Sequence, residues 1–351
     1  MPITIYDIAR EAKVGIGTVS RVFNNRPNVA EETRARILAI AERMRYQPHA
    51  SAQALARKHA YTLSVIIPFF TNYFSIEVLK GMQDTLAETG YDILLHGVNN
   101  TTQIGEFLKR GLKKGRVDGM LFVSMTLSDK YTKLISEQKI PIVLVDTYRP
   151  EFDSIQVKNY EGAFQAALHL VHLGHKKIGM INANMRSMPA QERFRGFRDA
   201  LEQSGIALPT EYVVSSSNEK QDGFNKNAGY LAMKELLETA QPHPTAVFVS
   251  SDVQAIGVLS AMEEKGMSAP HDIAVVGYDD IELAQHFHLT TMHQPMYEMG
   301  ELAIRKIIHR IQSPNDPPTL ESFTPALVVR ETCGGNKEYS QFEEQTGSSI
   351  G

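Results

Sequence analysis

The sequence predicts a small all-α module, joined by a short linker to an α/β body of two doubly wound parallel-sheet halves. Three observations carry this expectation. The chain has 351 residues, enough for two or three compact units. Its hydrophobic period changes near residue 61, from helical spacing to short apolar runs alternating with amphipathic stretches. Its charge is also divided: residues 1–60 hold ten Lys or Arg against five acids, and the remaining 291 hold 26 against 35, so that a net −4 conceals a basic arm on an acidic body. Such an arm suits a polyanionic partner, although a solvated helix surface gives the same count.

Within the arm, Ile5, Ile8, Ala9 and Ala12 follow helical spacing behind Thr4, a suitable N-cap with Asp7 three residues on. Lys13-Val14-Gly15 interrupts the pattern, and a second short helix reads from Ile16 to Asn24 with Val19, Val22 and Phe23 inward. Two short helices about a glycine-bearing turn make a helix-turn-helix. A third helix, Ala30 to Arg45, opens on Glu31 and Glu32 and turns Ile37, Leu38, Ile40, Ala41 and Met44 inward. Periodicity alone leaves a plain helical bundle and a DNA reader equally open.

Residues 3–48 closely resemble the headpiece of the LacI/GalR family of bacterial regulators. The shared elements are Tyr6-Asp7-Ile8-Ala9, Ala12-Lys13-Val14, Thr18-Val19-Ser20-Arg21-Val22, Asn24, Val29, Glu32-Thr33-Arg34 and Tyr46-Gln47-Pro48. The resemblance implies that the second helix lies in the major groove and reads base edges near its start. The matching positions are Ile16, Gly17 and Arg21. Arg21 can donate two hydrogen bonds to guanine, Ile16 suits a thymine methyl, and Gly17 has no side chain to read with. Gly17 departs from the usual polar reader and Gly15 from the common serine. Thr4, Thr18, Ser20 and Asn24 are expected to position the module on phosphates.

After Pro48, the segment His49–Arg57 has strong helix propensity but spans only about two turns, too short to be stable alone in water. The resemblance implies a hinge helix that orders on DNA and inserts Leu55 into the minor groove. A simple alanine-rich linker would account for the alanines. His49 stands where relatives more often carry asparagine.

In the body, strands are expected at Leu63–Ile67, Asp92–His96, Gly119–Val123, Ile142–Val145, Ile178–Ile181, Ala246–Val249 and Ile273–Val276. Helices are expected at about 75–89, 102–113, 129–138, 160–173, 190–204, 226–239 and 252–265. This alternation gives parallel sheets covered on both faces, and so many elements divide better into two halves than into one sheet. The resemblance continues through Val65-Ile66-Ile67-Pro68, Val117-Asp118-Gly119, Asn159-Tyr160-Glu161-Gly162, Arg193-Phe194-Arg195-Gly196-Phe197, Ser251-Asp252, Val276-Gly277-Tyr278-Asp279-Asp280 and His293-Gln294-Pro295. It implies a periplasmic-binding-protein-like body whose chain crosses between halves near 159, 290 and 322. The domain plan is thus 1–48 headpiece, 49–60 hinge, 61–330 effector-binding and dimerisation body, and 331–351 polar tail.

Ligands in such folds sit at strand carboxyl ends, here in a cleft between halves. Arg193 and Asp279 match effector-binding positions of the family, with Asp146 a third candidate. Phe69, Tyr73, Phe74, Tyr148 and Phe224 could wall a sugar ring, and Asn225 adjoins the last of these. Lys158 replaces an aspartate common in relatives. The resemblance therefore implies a repressor, binding a palindromic operator as a homodimer under a small-molecule effector, a sugar rather than a purine.

Other functions fit poorly. The single cysteine, Cys333, excludes a disulfide framework. No apolar run is long enough for a membrane span, and the amino terminus lacks the pattern of a secretory signal, so a cytoplasmic protein without membrane partners is expected. Neither a GxGxxG after the first strand, a P-loop nor an HExxH occurs, and no enzyme activity, cofactor or metal is expected. His169, His172 and His175 lie at a helix end rather than in a zinc pattern. The Pro-rich turn Ser313–Pro318 separates the last helix from the final strands, and the tail lacks a leucine heptad, which favours a dimer.

Overall fold

The computed structural model describes residues 3–24, 26–46, 60–69, 71–98, 105, 108, 117–125, 127–138, 140–217 and 220–335. Leu55 with nearly all of the expected hinge, most of the helix expected at 102–113, and the tail from 336 lie outside the described residues.

Helices α1 (Ile5–Glu11), α2 (Ile16–Phe23) and α3 (Glu31–Arg43) form the amino-terminal module. Each is too short to persist alone, and they are held by one shared core of Ile8, Ala9, Ala12, Val19, Val22, Ile37, Ile40 and Ala41. The turn between α1 and α2 passes through Lys13 in the left-handed region (φ 53°). Arg34 donates to the carbonyls of Val22 and Arg26 at 3.4 and 2.9 Å, tying the end of α2 to α3. Phe23 packs on Tyr46, ring centroids 5.4 Å apart.

The first half of the body contains β1 (Thr62–Ile67), β2 (Asp92–Gly97), β3 (Gly119–Val123), β4 (Ile142–Val145) and β5 (Asp153–Val157). The second contains β6 (Ile178–Asn182), β7 (Val213–Ser215), β8 (Ala246–Val249), β9 (Ala274–Asp279) and β10 (Thr290–His293). Two late strands, β11 (Leu320–Phe323) and β12 (Ala326–Val328), add one edge to each sheet. The orders are β11-β5-β4-β3-β1-β2 and β12-β10-β9-β8-β6-β7. Among the described residues all pairings are parallel except β12 against β10. Strands β3, β4, β6 and β8 are buried along their whole length, as their unbroken apolar runs require. The edge strand β2 instead exposes Leu94 and Leu95.

Helices α4 (Tyr73–Leu86) and α5 (Asp129–Gln138) belong to the first half. Helices α6 (Asn159–His172), α7 (Met188–Gln203), α8 (Lys226–Thr239), α9 (Asp252–Glu264) and α10 (Glu282–His286) belong to the second. The last helix, α11 (Met296–Gln312), follows β10 yet packs on α4, β3 and β4 of the first sheet. The chain therefore passes between halves at residue 158, at 294–295 and at 324–325. Strands β5, β7 and β10 were not in the sequence expectation, and β11 and β12 entered it only as final strands without bounds: they are short, and most are polar in part, as in Thr290-Thr291.

The body also continues past Arg330, where the sequence plan placed the polar tail. Thr332 and Cys333 are buried, and the Thr332 hydroxyl donates to the Val275 carbonyl at 2.8 Å. The pattern of polar residues around them hides this packing. At the opposite end of the body, the Asp118 carboxylate accepts from the backbone N–H groups of Ala60 and Tyr61, at 2.8 and 2.7 Å. Tyr61 is left-handed (φ 50°), and its ring lies 5.5 Å from that of Tyr91.

Helix pairs in both halves cross at glycines. A Cβ on Gly81 of α4 would stand 2.0 Å from the Tyr297 carbonyl oxygen of α11, and one on Gly229 of α8 would stand 2.1 Å from that of Gln254 in α9. Alanine normally favours a helix over glycine by about 1 kcal/mol. Gly81→Ala is nevertheless expected to lower the thermal unfolding midpoint, because backbone overlap costs about 1–3 kcal/mol; scanning calorimetry of the variant checks the sign.

Candidate functional sites

On the amino-terminal module, α2 turns Val19 and Val22 into the core and leaves Ile16, Gly17 and Arg21 on its exposed face. Ile16 is 42% exposed, and Leu38, expected to turn inward, is exposed as well. The Arg21 guanidinium has no partner among the described residues. Thr18 and Ser20 are half-buried beside this face. Two expected positioning residues carry internal duties. The Thr4 hydroxyl donates to Asp7 at 2.7 Å, and Asp7 also accepts from the Thr4 N–H at 3.0 Å, which lowers the Asp7 pKa. The Asn24 amide folds back to donate to the Ser20 carbonyl at 2.8 Å.

A second site lies where strands of both sheets end. Phe69 beyond β1, Ser124 after β3 and Asp146 after β4 have φ of 49°, 48° and 58°, and Asp279 at the end of β9 has φ 119°. Non-glycine residues in this region each store about 1–3 kcal/mol, and such strain concentrates at binding sites.

Arg193, from α7, is only 4% exposed. Its Nε donates to Asn159 Oδ1 at 2.8 Å, and one terminal nitrogen donates to the Ser250 carbonyl and lies 3.5 Å from Asp279 Oδ1. The guanidinium sits 3.7 Å from the Tyr278 ring centroid and 5.8 Å from that of Phe224, between two aromatic faces. Gln294 donates to the same Asp279 oxygen. From the first half, Asp146 accepts from the Ser124 hydroxyl at 2.7 Å. Burial pushes Asp146 up to about 6, against the Ser124 hydrogen bond and the Arg193 charge. Burial likewise raises Asp279, opposed chiefly by Arg193. Asp146 and Asp279 both feel Arg193, and Asp279 also feels Asp146, which sets carboxylates of both halves around one space.

Of the other expected residues, Phe69, Tyr73 and Phe74 are half-buried near the carboxyl end of β1, and Tyr148 is exposed beyond β4. Asn225 follows Phe224 and caps α8, its Oδ1 accepting from the Ala228 N–H at 3.0 Å. Sequence reasoning missed Asn159, Ser250, Gln294 and Ser124 as site residues. Asn159 and Gln294 stand inside recognisable motifs, but nothing in their spacing shows that they converge on Arg193 and Asp279. His169 Nε2 lies 3.4 Å from Cys333 Sγ in the second half's core, and among the described residues no group of three or more His, Cys, Asp or Glu is arranged to hold a metal.

Residues 4–49 match the family described as bacterial regulatory proteins, lacI family, and residues 167–333 match the periplasmic binding protein-like domain. The chain is 33% identical over 335 residues to the HTH-type transcriptional repressor PurR of Yersinia enterocolitica serotype O:8 / biotype 1B, covering 94% of this chain and 96% of that one. The chain belongs to the LacI family. Catabolite control protein A of Priestia megaterium is 32% identical over 310 residues, covering 87% of this chain and 91% of the relative. Among solved structures, a complex of the transcriptional regulator CelR with cellobiose aligns at a TM-score of 0.70 with 27% identity, covering 94% of this chain and 99% of that one. This LacI-family chain is thus a DNA-binding transcriptional repressor and not an enzyme. Among the described residues no helix is long and apolar enough to cross a membrane.

The raised Asp146 carboxyl has a stability consequence. Folded, it binds a proton more tightly than in the unfolded chain, so its ionisation destabilises the repressor as pH rises from about 4 through about 6. Asp146→Asn is therefore expected to raise the unfolding midpoint at pH 7.5 by a few degrees and to lose most of that advantage at pH 4.5. Thermal melts of both proteins across this range check the sign.

Proposed function

We propose that this repressor binds a palindromic operator as a homodimer and that an uncharged sugar in the cleft sets its affinity for DNA. In this reading Arg21 carries most of the base discrimination and Ile16 contacts a thymine methyl. Gly17 lies between them, Thr4, Thr18, Ser20 and Asn24 position the module, and Leu55 wedges the minor groove. Residues 1–48 act as headpiece, 49–60 as hinge and 61 onward as effector and dimer body, in the cytoplasm where DNA lies.

The observation that carries the effector class is the pairing of Arg193. Its charge is already matched by Asp279, and Asp146 stands opposite, leaving the cleft acidic. A phosphate or carboxylate would meet repulsion, whereas sugar hydroxyls can donate to the two carboxylates and accept from the guanidinium. Phe224, Phe69, Phe74, Tyr73 and Tyr148 offer ring faces, and the cellobiose bound by CelR is a ligand of the same chemistry. Dimerisation is supported by exposed apolar side chains, Leu94 and Leu95 on the β2 edge and Ile76 on α4, of the kind that pair subunits. Closing the cleft would shift the two hinges of a dimer relative to each other, and a coupling of about 1–3 kcal/mol suffices for a switch.

Two measurements test this reading. Thermal-shift titration with neutral mono- and disaccharides, sugar phosphates and purine bases should show stabilisation by a neutral sugar, lost in Arg193→Ala; stabilisation only by purines or phosphosugars would replace the effector class. On duplexes selected from a randomised pool, Arg21→Ala should lose about 1–3 kcal/mol of discrimination per half-site while keeping the thermal shift by sugar. Equal loss of both would refute the division of labour.

A further inference from the structure

The glycines of this chain mostly have an internal reason. Gly81 and Gly229 lie where a Cβ would strike backbone, and Gly90 and Gly205 have φ of 71° and 67°. Gly15 and Gly17 have neither reason. Gly15 has φ −70°, open to any residue, Gly17 lies inside α2, and a Cβ on either would meet nothing within 4 Å. Glycine is the poorest helix former after proline, and α2 has only eight residues. The fold would be better served by alanine at Gly17. Between the two stands Ile16, an exposed apolar side chain with bare backbone on both sides.

From this we infer that Gly15 and Gly17 are clearance residues for DNA: their missing side chains let the first turn of α2 approach the floor of the major groove closely enough for Ile16 to press on a thymine C5 methyl. The inference rests on α2 being the helix that enters the groove. It assigns specificity to an absence of atoms, a role distinct from hydrogen-bonded reading by Arg21. A thymine methyl is the one apolar feature of the major-groove edge, and it needs close packing rather than a donor or acceptor.

The signature is an opposition of sign. With full-length protein and a duplex it has selected from a randomised pool, Gly17→Ala should melt higher than the parent yet bind that duplex about tenfold more weakly. Replacing thymines by deoxyuridine one at a time should reveal one symmetry-related position where removing the methyl weakens the parent about fourfold. Ile16→Ala should be indifferent to the same replacement. A Gly17→Ala protein that binds equally well, or that melts lower or fails to fold, overturns the inference, as does the absence of any deoxyuridine-sensitive position dependent on Ile16. If the parent selects no duplex at all, α2 is not the reader and the reading beneath falls with it. A selected duplex with an indifferent Gly17→Ala sinks the clearance role alone.

Discussion

A guanidinium removed from water must find its compensation in the protein, and Arg193 organises the body around that requirement. Its partners come from the start of α6, the end of β8 and the end of β9. A single side chain thereby fixes the orientation of α7 against three neighbours. Breaking a buried pair of this kind costs about 3–5 kcal/mol because the remaining charge stays buried without a match. The same charge moderates the burial of Asp279 and Asp146, two acids that could not otherwise share so dry a space. On the proposed reading, structure and recognition at this point draw on one electrostatic balance, in which an incoming hydroxyl would compete with internal partners rather than with bulk water.

The two halves follow one plan, with equivalent strand orders and helices brought together at glycines. They are not independent in sequence, since α11 and β11 return to the first half after the second has been built. Three connecting segments, at 158, 294–295 and 324–325, give the halves a narrow shared waist. Crossings of this kind, where a few backbone angles can change, are the usual place of a hinge. Two of these segments adjoin Asn159 and Gln294, so hinge and site share residues.

Much of this was legible from the chain because parallel strands buried on both faces must be apolar throughout, as in Gly119–Val123 and Ala246–Val249. The headpiece was equally readable, since the spacing of Ile8, Val19, Val22 and Ile37 dictates its core. Edge strands such as Leu320–Phe323 were not, because one neighbour and a solvent face place little demand on composition. Of the residues gathered there, Arg193 and Asp279 were named through motif positions and Asp146 through the end of an expected strand, whereas Ser124 and Ser250 depend on where strands end in space. Asn225 was named for an amide beside an aromatic, and the sequence did not show that its Oδ1 also caps α8. Cys333 and Thr332 were assigned to a polar tail because burial by a returning segment leaves no periodic trace.

Strand β3 joins two of the features already described. One end begins at Asp118, which grips the backbone of Ala60 and Tyr61, and the other finishes at Ser124, whose hydroxyl holds Asp146. Its five residues, about 17 Å of extended chain locked between neighbours, behave as a stiff rod. A rod has no preferred direction of transmission. On the proposed reading, whatever work an effector performs on the amino-terminal module by displacing Asp146, DNA would perform in return on Asp146 by drawing on Ala60, so that the operator would itself be an effector of the pocket.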